Sequence, residues 1–236
     1  LENLRYEKIA DIDDFKWYED DGAVGKSKPD TEYTKAVSKG FQWKGYGVYN
    51  WIEKELNLPP KRKGKRLIAL FDFGARKGSG NNSHFESLLY INGTVFQAVD
   101  GNHREVFLDS FTGKVHLLFR LWSGLNGGGE PSEMRMEIRQ AECAYLDISA
   151  DELYFFSRNI IETSHLLSDD NPYKLWLINE LAQAFRFIDY TDPASEQFYA
   201  SIPKALSYLH KVMKGQGKPD IRISLIGQTH IDVAWL

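Results

Sequence analysis

Asn92-Gly93 sits between "LLYI" and "TVFQAV". Both residues tolerate the positive φ that a two-residue type I′ turn demands at each position, so the stretch predicts a tight antiparallel hairpin. A hairpin commits two strands to one sheet, and the neighbouring sequence must extend that sheet. "RLIALFDFG" reads as a buried strand ended by Gly74, and "ARKGSGNNSH" as a long loop. "HREVFLDS" and "KVHLLFRLW" read as strands parted by turn residues around Gly113. After the glycine-rich "SGLNGGGEPS", "EMRMEIRQAECAYLD" supplies one or two more. Seven or so strands with no helix between them predict an antiparallel, jelly-roll-like β-sandwich over residues 41–148. Residues 1–40 show little periodicity and are expected to form an extended arm, with short helical turns around Asp13 to Glu19.

At Ser149 the pattern changes. "SADE" is a capping box with Ser149 as N-cap and Glu152 three residues on. Leu153, Phe156, Ile160, Ile161, Leu166 and Leu167 then keep a helical period. "DNPYKLWLINELAQAFRFIDY" places Asn171 as N-cap with Pro172 in the first helical position. "TDPASEQFYASIPKALSYLHKVMKG" starts in the same way at Asp192 and Pro193, and Pro203 is expected to break or kink it. A small helical subdomain is therefore expected over 149–217. The fold class is mainly β with α.

Charge and composition narrow the partners. A net charge of -4 gives no support for nucleic acid or an anionic membrane as partner. No apolar run reaches about 18 residues, and the opening "LENLRYEKIADIDD" is polar and acidic, without a signal-peptide pattern. The one cysteine, Cys143, excludes an intrachain disulfide and suggests a reducing compartment, so a cytoplasmic location is expected. The aromatic content of 14% suits either a packed core or a carbohydrate-handling surface. Sequons occur at Asn81 and Asn92, the second already explained by the turn.

The last segment, 218–236, changes character again. "KPDIRISLIGQTH" is apolar on both faces from Ile223 to Ile226, as in a parallel strand covered on both sides. A lone strand of this kind is not stable, so its sheet partners are expected beyond Leu236. His230 and Asp232 follow two apart, and in a strand such residues point to the same side. Imidazole and carboxylate are both zinc ligands. Alone the pair is a weak signal, since a surface His beside an Asp that accepts backbone hydrogen bonds gives the same pattern.

The longer string "GQTHIDVAWL" resembles the signature of glycoside hydrolase family 38, the zinc-dependent α-mannosidases, near the start of their catalytic barrel. That pattern runs Gly-His-x-His-x-Asp followed by Trp-Leu, and Gly227, His230, Asp232 and Trp235 match it. Gln228 departs from it, standing where members often carry His. "LLYINGTVFQAVDGNHREVFLD" is similar to the sandwich that precedes the barrel in the cytosolic and bacterial branch, with Asp100 and His103 at matching spacing. The resemblance implies that His230 and Asp232 are two of four protein ligands of a zinc ion and that Trp235 lines the mannose subsite. It also implies a retaining hydrolase of terminal α-mannosides in oligosaccharides, with 218–236 as the first strand of a truncated α/β barrel. Nucleophile, general acid and the other two ligands are then expected beyond Leu236, leaving no catalytic residue in this chain, poor zinc binding and no activity by itself.

Two readings from other classes stay open: a self-sufficient carbohydrate-binding sandwich, and a sandwich that mediates a homodimer. Asp100 and His103 read either as a metal or sugar contact or as a turn that Asp100 caps, with His103 packed between the sandwich and its neighbour; Asp-Gly-Asn favours the turn. His84, His116, His165 and His210 show no ligand spacing.

Overall fold

The computed structural model describes residues 1–74, 85–124 and 133–214, with Ser224, Ile226 and Gly227. Among these residues it is an antiparallel β-sandwich with a small helical part, in two compact units: Tyr6–Leu146, and Leu1–Arg5 together with the chain from Asp147 onward.

In the first unit, strands β1 (Tyr6–Asp11), β2 (Phe15–Glu19) and β3 (Lys35–Val37) precede β4 (Gln42–Gly45), β5 (Tyr49–Asn57) and β6 (Lys65–Asp72). Then come β7 (Glu86–Ile91), β8 (Thr94–Ala98), β9 (Glu105–Phe107), β10 (Lys114–Trp122), β11 (Met134–Glu137) and β12 (Gln140–Asp147). A six-stranded sheet runs β3-β2-β5-β10-β7-β8 and a four-stranded sheet β1-β12-β6-β9, with β4 and β11 paired apart. The hairpin forms as its sequence dictates: Asn92 and Gly93 take φ of 52° and 80°, and Ile91 pairs with Thr94.

Alternation along β10 decides the core. Val115, Leu117, Phe119 and Leu121 are buried, while His116, Leu118, Arg120 and Trp122 face the other way. From the four-stranded sheet, Leu67, Ala69 and Phe71 of β6 with Cys143 and Tyr145 of β12 enter the same core. Phe119 meets Phe71 and Phe73 edge-on, with ring centroids 4.8 Å and 5.0 Å away. Cys143 lies inside this core, and burial pushes its thiol up to about 11.

The N-terminal segment is not the arm with helical turns expected from its sequence. β2 contributes Phe15 and Trp17 to the core, and β1 pairs with β12 from Tyr6↔Leu146 to Asp11↔Glu142. Five residues, Phe15–Glu19, are too few to show a clear period, whereas pairing with β3 and β5 satisfies their backbone groups. The stretches 75–84 and 125–132, expected as loops, lie outside the described residues.

The second unit holds helices α1 (Ile148–Leu166), α2 (Pro172–Phe185) and α3 (Glu196–Lys214). Asn171 caps α2 and Pro172 opens it, as its sequence predicts; the Tyr173 N–H donates to Asn171 Oδ1 at 2.9 Å. The other two starts differ from expectation. α1 is capped by Asp147, whose Oδ1 accepts from the Ala150 N–H at 2.9 Å; Ser149 lies inside the helix and Glu152 reaches His210 Nε2 at 2.8 Å. α3 begins after Ser195, whose Oγ accepts from the Phe198 N–H at 3.1 Å. Pro203 does not break α3. One lost backbone donor is outweighed by the buried stripe Phe198, Ile202, Ala205, Leu206 and Leu209. Leu1 and Leu4 pack on this cluster, and Arg5 lies over the rings of Tyr154 and Phe155 while pairing with Asp151.

Phe119→Ala is expected to destabilise its unit by about 3–5 kcal/mol in urea denaturation, because the cavity lies between two sheets. Asp147→Ala should cost roughly 0.5–2 kcal/mol and Ser149→Ala within about 0.5 kcal/mol, the reverse ranking being the outcome of a Ser149 cap.

Candidate functional site

His230, Asp232 and Trp235, the residues that carry the motif, lie outside the described residues, as does the strand expected at their head apart from three positions. Of those, Ile226 is exposed and Gly227 has open space around its Cα. No group of three or more His, Cys, Asp or Glu side chains among the described residues is placed to hold a metal.

Asp100 and His103 form a turn. Asp100 Oδ1 accepts from the N–H groups of Asn102 at 2.7 Å and His103 at 2.9 Å, and Oδ2 lies 2.9 Å from His103 Nδ1. Burial acts to raise the carboxyl, but these hydrogen bonds prevail and hold it below its ordinary value. The His103 side chain is 65% exposed.

The face of the six-stranded sheet turned away from the core carries the polar and aromatic chemistry of this unit. Register places Tyr49, Trp122 and Glu86 in one row across β5, β10 and β7. The next row on this face runs Tyr18, Trp51, Arg120, Leu88 and Ala98, and the one after it Lys16, Glu53, Leu118 and Tyr90. Two clefts open on it.

The first, of about 400 Å³, is lined by Asp14, Lys16, Glu53, Lys54, Glu55 and His116. Glu53 is its hub. Tyr18 Oη donates to Glu53 Oε1 at 2.5 Å, and His116 Nε2 lies 3.2 Å from Oε2. Lys16 and Lys28 each stand 3.6 Å from the carboxylate, and Lys28 also lies 3.9 Å from the centre of the Tyr18 ring. Burial works to raise the Glu53 carboxyl, yet the Tyr18 hydrogen bond, the Lys28 charge and His116 together hold it below its ordinary 4.5. Burial and Glu53 push the Tyr18 phenol well above its usual range. Tyr18, His116, Lys16 and Lys28 all converge on Glu53, so this network is a clamp joining β2, β5, β10 and Lys28.

The second cleft, of about 270 Å³, is lined by residues that include Tyr49, Glu86, Leu88, Asp100, Arg120 and Trp122. The Tyr49 and Trp122 rings stack, with centroids 6.3 Å apart and planes 26° from parallel. Gly25, at φ +68°, lies so close to the Tyr49 ring that any Cβ there would run into it, and its carbonyl accepts from Arg120 Nη1 at 3.1 Å. Burial, then the Asp100 charge, raise the Glu86 carboxyl above its ordinary value. Two sequence signals fall on this cleft, Asp100 as a possible sugar contact and the aromatic content, but its residues come from four strands and a turn, which no local pattern joins.

No protein-family model and no curated protein matches the chain. Among solved structures it is similar to a β-glucuronidase of Bacteroides uniformis, at 14% identity and TM-score 0.34, over 59% of this chain and 17% of that one. It is similar also to a β-glucuronidase of Ruminococcus gnavus, at 11% identity and TM-score 0.33, over 60% of this chain and 29% of that one. A third is the structure of the CBM51-2 and INT domains of Clostridium perfringens ZmpB with GlcNAc, at 12% identity and TM-score 0.20, over 87% and 43%. The chain thus spans less than a third of either β-glucuronidase. Likeness at this level leaves the function to the residues themselves.

The clamp makes a pH prediction. A carboxyl held below 4.5 in the folded state stabilises the fold above that pH, and this contribution is lost as pH falls through the lowered value. Thermal melts between pH 7 and 3 should show the wild type losing its advantage over Glu53→Gln below pH 4.5; a gap that stays constant with pH would contradict it.

Proposed function

We propose that the chain forms part of a retaining α-mannosidase acting on terminal α-mannosides of oligosaccharides. One observation carries this reading: "GQTHIDVAWL" at 227–236 follows a β-sandwich and then a helical unit, the order that the resemblance to family 38 glycoside hydrolases implies. The β-sandwich and helices are consistent with that order, and residues 228–236 enter it through their sequence alone.

Zinc is the metal this reading implies. The donor set fits in kind, since a histidine nitrogen and an aspartate oxygen are both zinc ligands, and two more must come from elsewhere in the protein. His230 and Asp232 would hold it. When bound, zinc supplies a positive centre that fixes sugar hydroxyls and favours ring distortion. Trp235 would offer an apolar wall to one face of the mannose ring, ordering it without charge. Gln228, an amide where members often carry His, would change the hydrogen bonds around the site without removing a ligand.

The test expresses the chain within its full open reading frame and follows hydrolysis of an aryl α-mannoside. Activity is expected with zinc, its loss on chelation, and its return on adding zinc back. His230→Ala should lower kcat/KM by more than the roughly 10–100-fold that loss of an outer hydrogen-bond partner costs. No mannose release from the zinc-loaded protein would sink the proposal.

A further inference from the structure

The cleft between Trp122 and Asp100 has the make-up of a ligand site: Asp100 caps its turn and Arg120 holds Gly25, but Glu86 has no such task among the described residues. In the Glu53 clamp the charged groups neutralise one another. Here they do not: Glu86 has neither a hydrogen-bond nor an ion-pair partner among the described residues, although it stands beside a second carboxylate, Asp100, in the same cleft. Trp122 sits half-buried next to it, one side of its ring taken by Tyr49. Tyr49 is itself backed by Gly25, so the aromatic pair is braced from behind. Arg120 is anchored by one N–H to the Gly25 carbonyl, and a guanidinium carries four more donors.

These parts select a chemical class. Carboxylates accept and cannot donate when ionised, and a guanidinium donates and cannot accept. A ligand that meets both must carry vicinal groups able to do either, which hydroxyls are. The indole face is electron-rich and favours weakly positive C–H groups laid flat against it. A volume of about 270 Å³ suits one ring and little more. A pyranose has all three properties. Two carboxylates against one guanidinium leave the cleft negative, so a neutral sugar is favoured over a hexuronate.

We propose that this cleft is a sugar-binding subsite for a neutral hexopyranoside, with Trp122 as the stacking platform and Glu86, Asp100 and Arg120 as its hydroxyl partners. The subsite lies on the sandwich unit, involves no metal, and stands independently of the mannosidase reading. A single ring on an open cleft gives weak affinity, of the millimolar order common for small ligands with few buried contacts.

The test is saturation-transfer NMR on the full 236-residue chain with methyl α-mannoside, methyl β-glucoside, methyl β-galactoside and glucuronate, all in EDTA so that no metal site contributes. Expected is transfer to the ring C–H protons of at least one neutral pyranoside, loss of that signal in Trp122→Ala, and its retention in Trp122→Phe. Glu86→Gln, a change at an exposed residue that should fold normally, is expected to weaken Kd about tenfold. No transfer to any neutral pyranoside at tens of millimolar would overturn the proposal, as would equal transfer in folded Trp122→Ala, or no effect of Glu86→Gln. Stronger binding of glucuronate than of every neutral sugar would overturn the ligand class. If Trp122→Ala does not fold, the Glu86→Gln arm decides alone. None of these outcomes bears on zinc-dependent hydrolysis, so the two proposals fail separately.

Discussion

The edge-on contact of Phe119 with Phe71 and Phe73 is the constraint on which the sandwich rests. It joins β10, at the middle of the six-stranded sheet, to β6 and the residue that follows it. Once Phe119 faces inward, strand alternation sends His116, Arg120 and Trp122 outward. A slip of one residue would put Arg120 and Trp122 into the core and Phe119 into water, so burial holds the register firmly. The position of every outward group thus follows from a contact on the opposite face. The pairing of β1 with β12 then brings the start and end of the sandwich segment side by side, which is what allows Tyr6–Leu146 to form a unit within the chain.

Aromatic residues are used in two ways. Trp17 and Trp43 are core residues, and Trp43 satisfies its indole N–H on the Phe73 carbonyl at 2.9 Å. Trp51 and Trp122 belong to the outer face, and Trp51 Nε1 is buried without a hydrogen-bond partner among the described residues. Composition alone does not separate these uses, because burial of a large ring is favourable on either side of a sheet. The charged groups split likewise. Around Glu53 each is neutralised by a neighbour, and around Glu86 the like charge of Asp100 is left in place. Unbalanced charge beside an aromatic ring is a feature of ligand sites more than of scaffolds.

Where the sequence reading and the structure differ, a long-range contact is the reason. "YNWIEKELN" lies in the segment expected as β, although Glu53, Lys54 and Glu55 interrupt its apolar run. It is β5, central to its sheet, because Tyr18, His116 and two lysines satisfy Glu53. Asp147 rather than Ser149 caps α1, although "SADE" has the right local spacing. The helix start is set by β12, which runs to Asp147 and ends at the cap itself. Pro203 stays inside α3 because that helix is held by its buried stripe.

The sequence by itself determined the local features: the Asn92-Gly93 hairpin, the alternation of β10, the Asn171-Pro172 start of α2, and the compact string that names His230, Asp232 and Trp235 as candidates. Each rests on residues a few positions apart, whose sterics or spacing act before any distant contact forms. The tertiary structure alone decided that the first forty residues build both sheets, and that Tyr49, Glu86, Asp100, Arg120 and Trp122 share one cleft. Those groups are brought together by strand pairing between distant segments, and pairing depends on which faces the core buries.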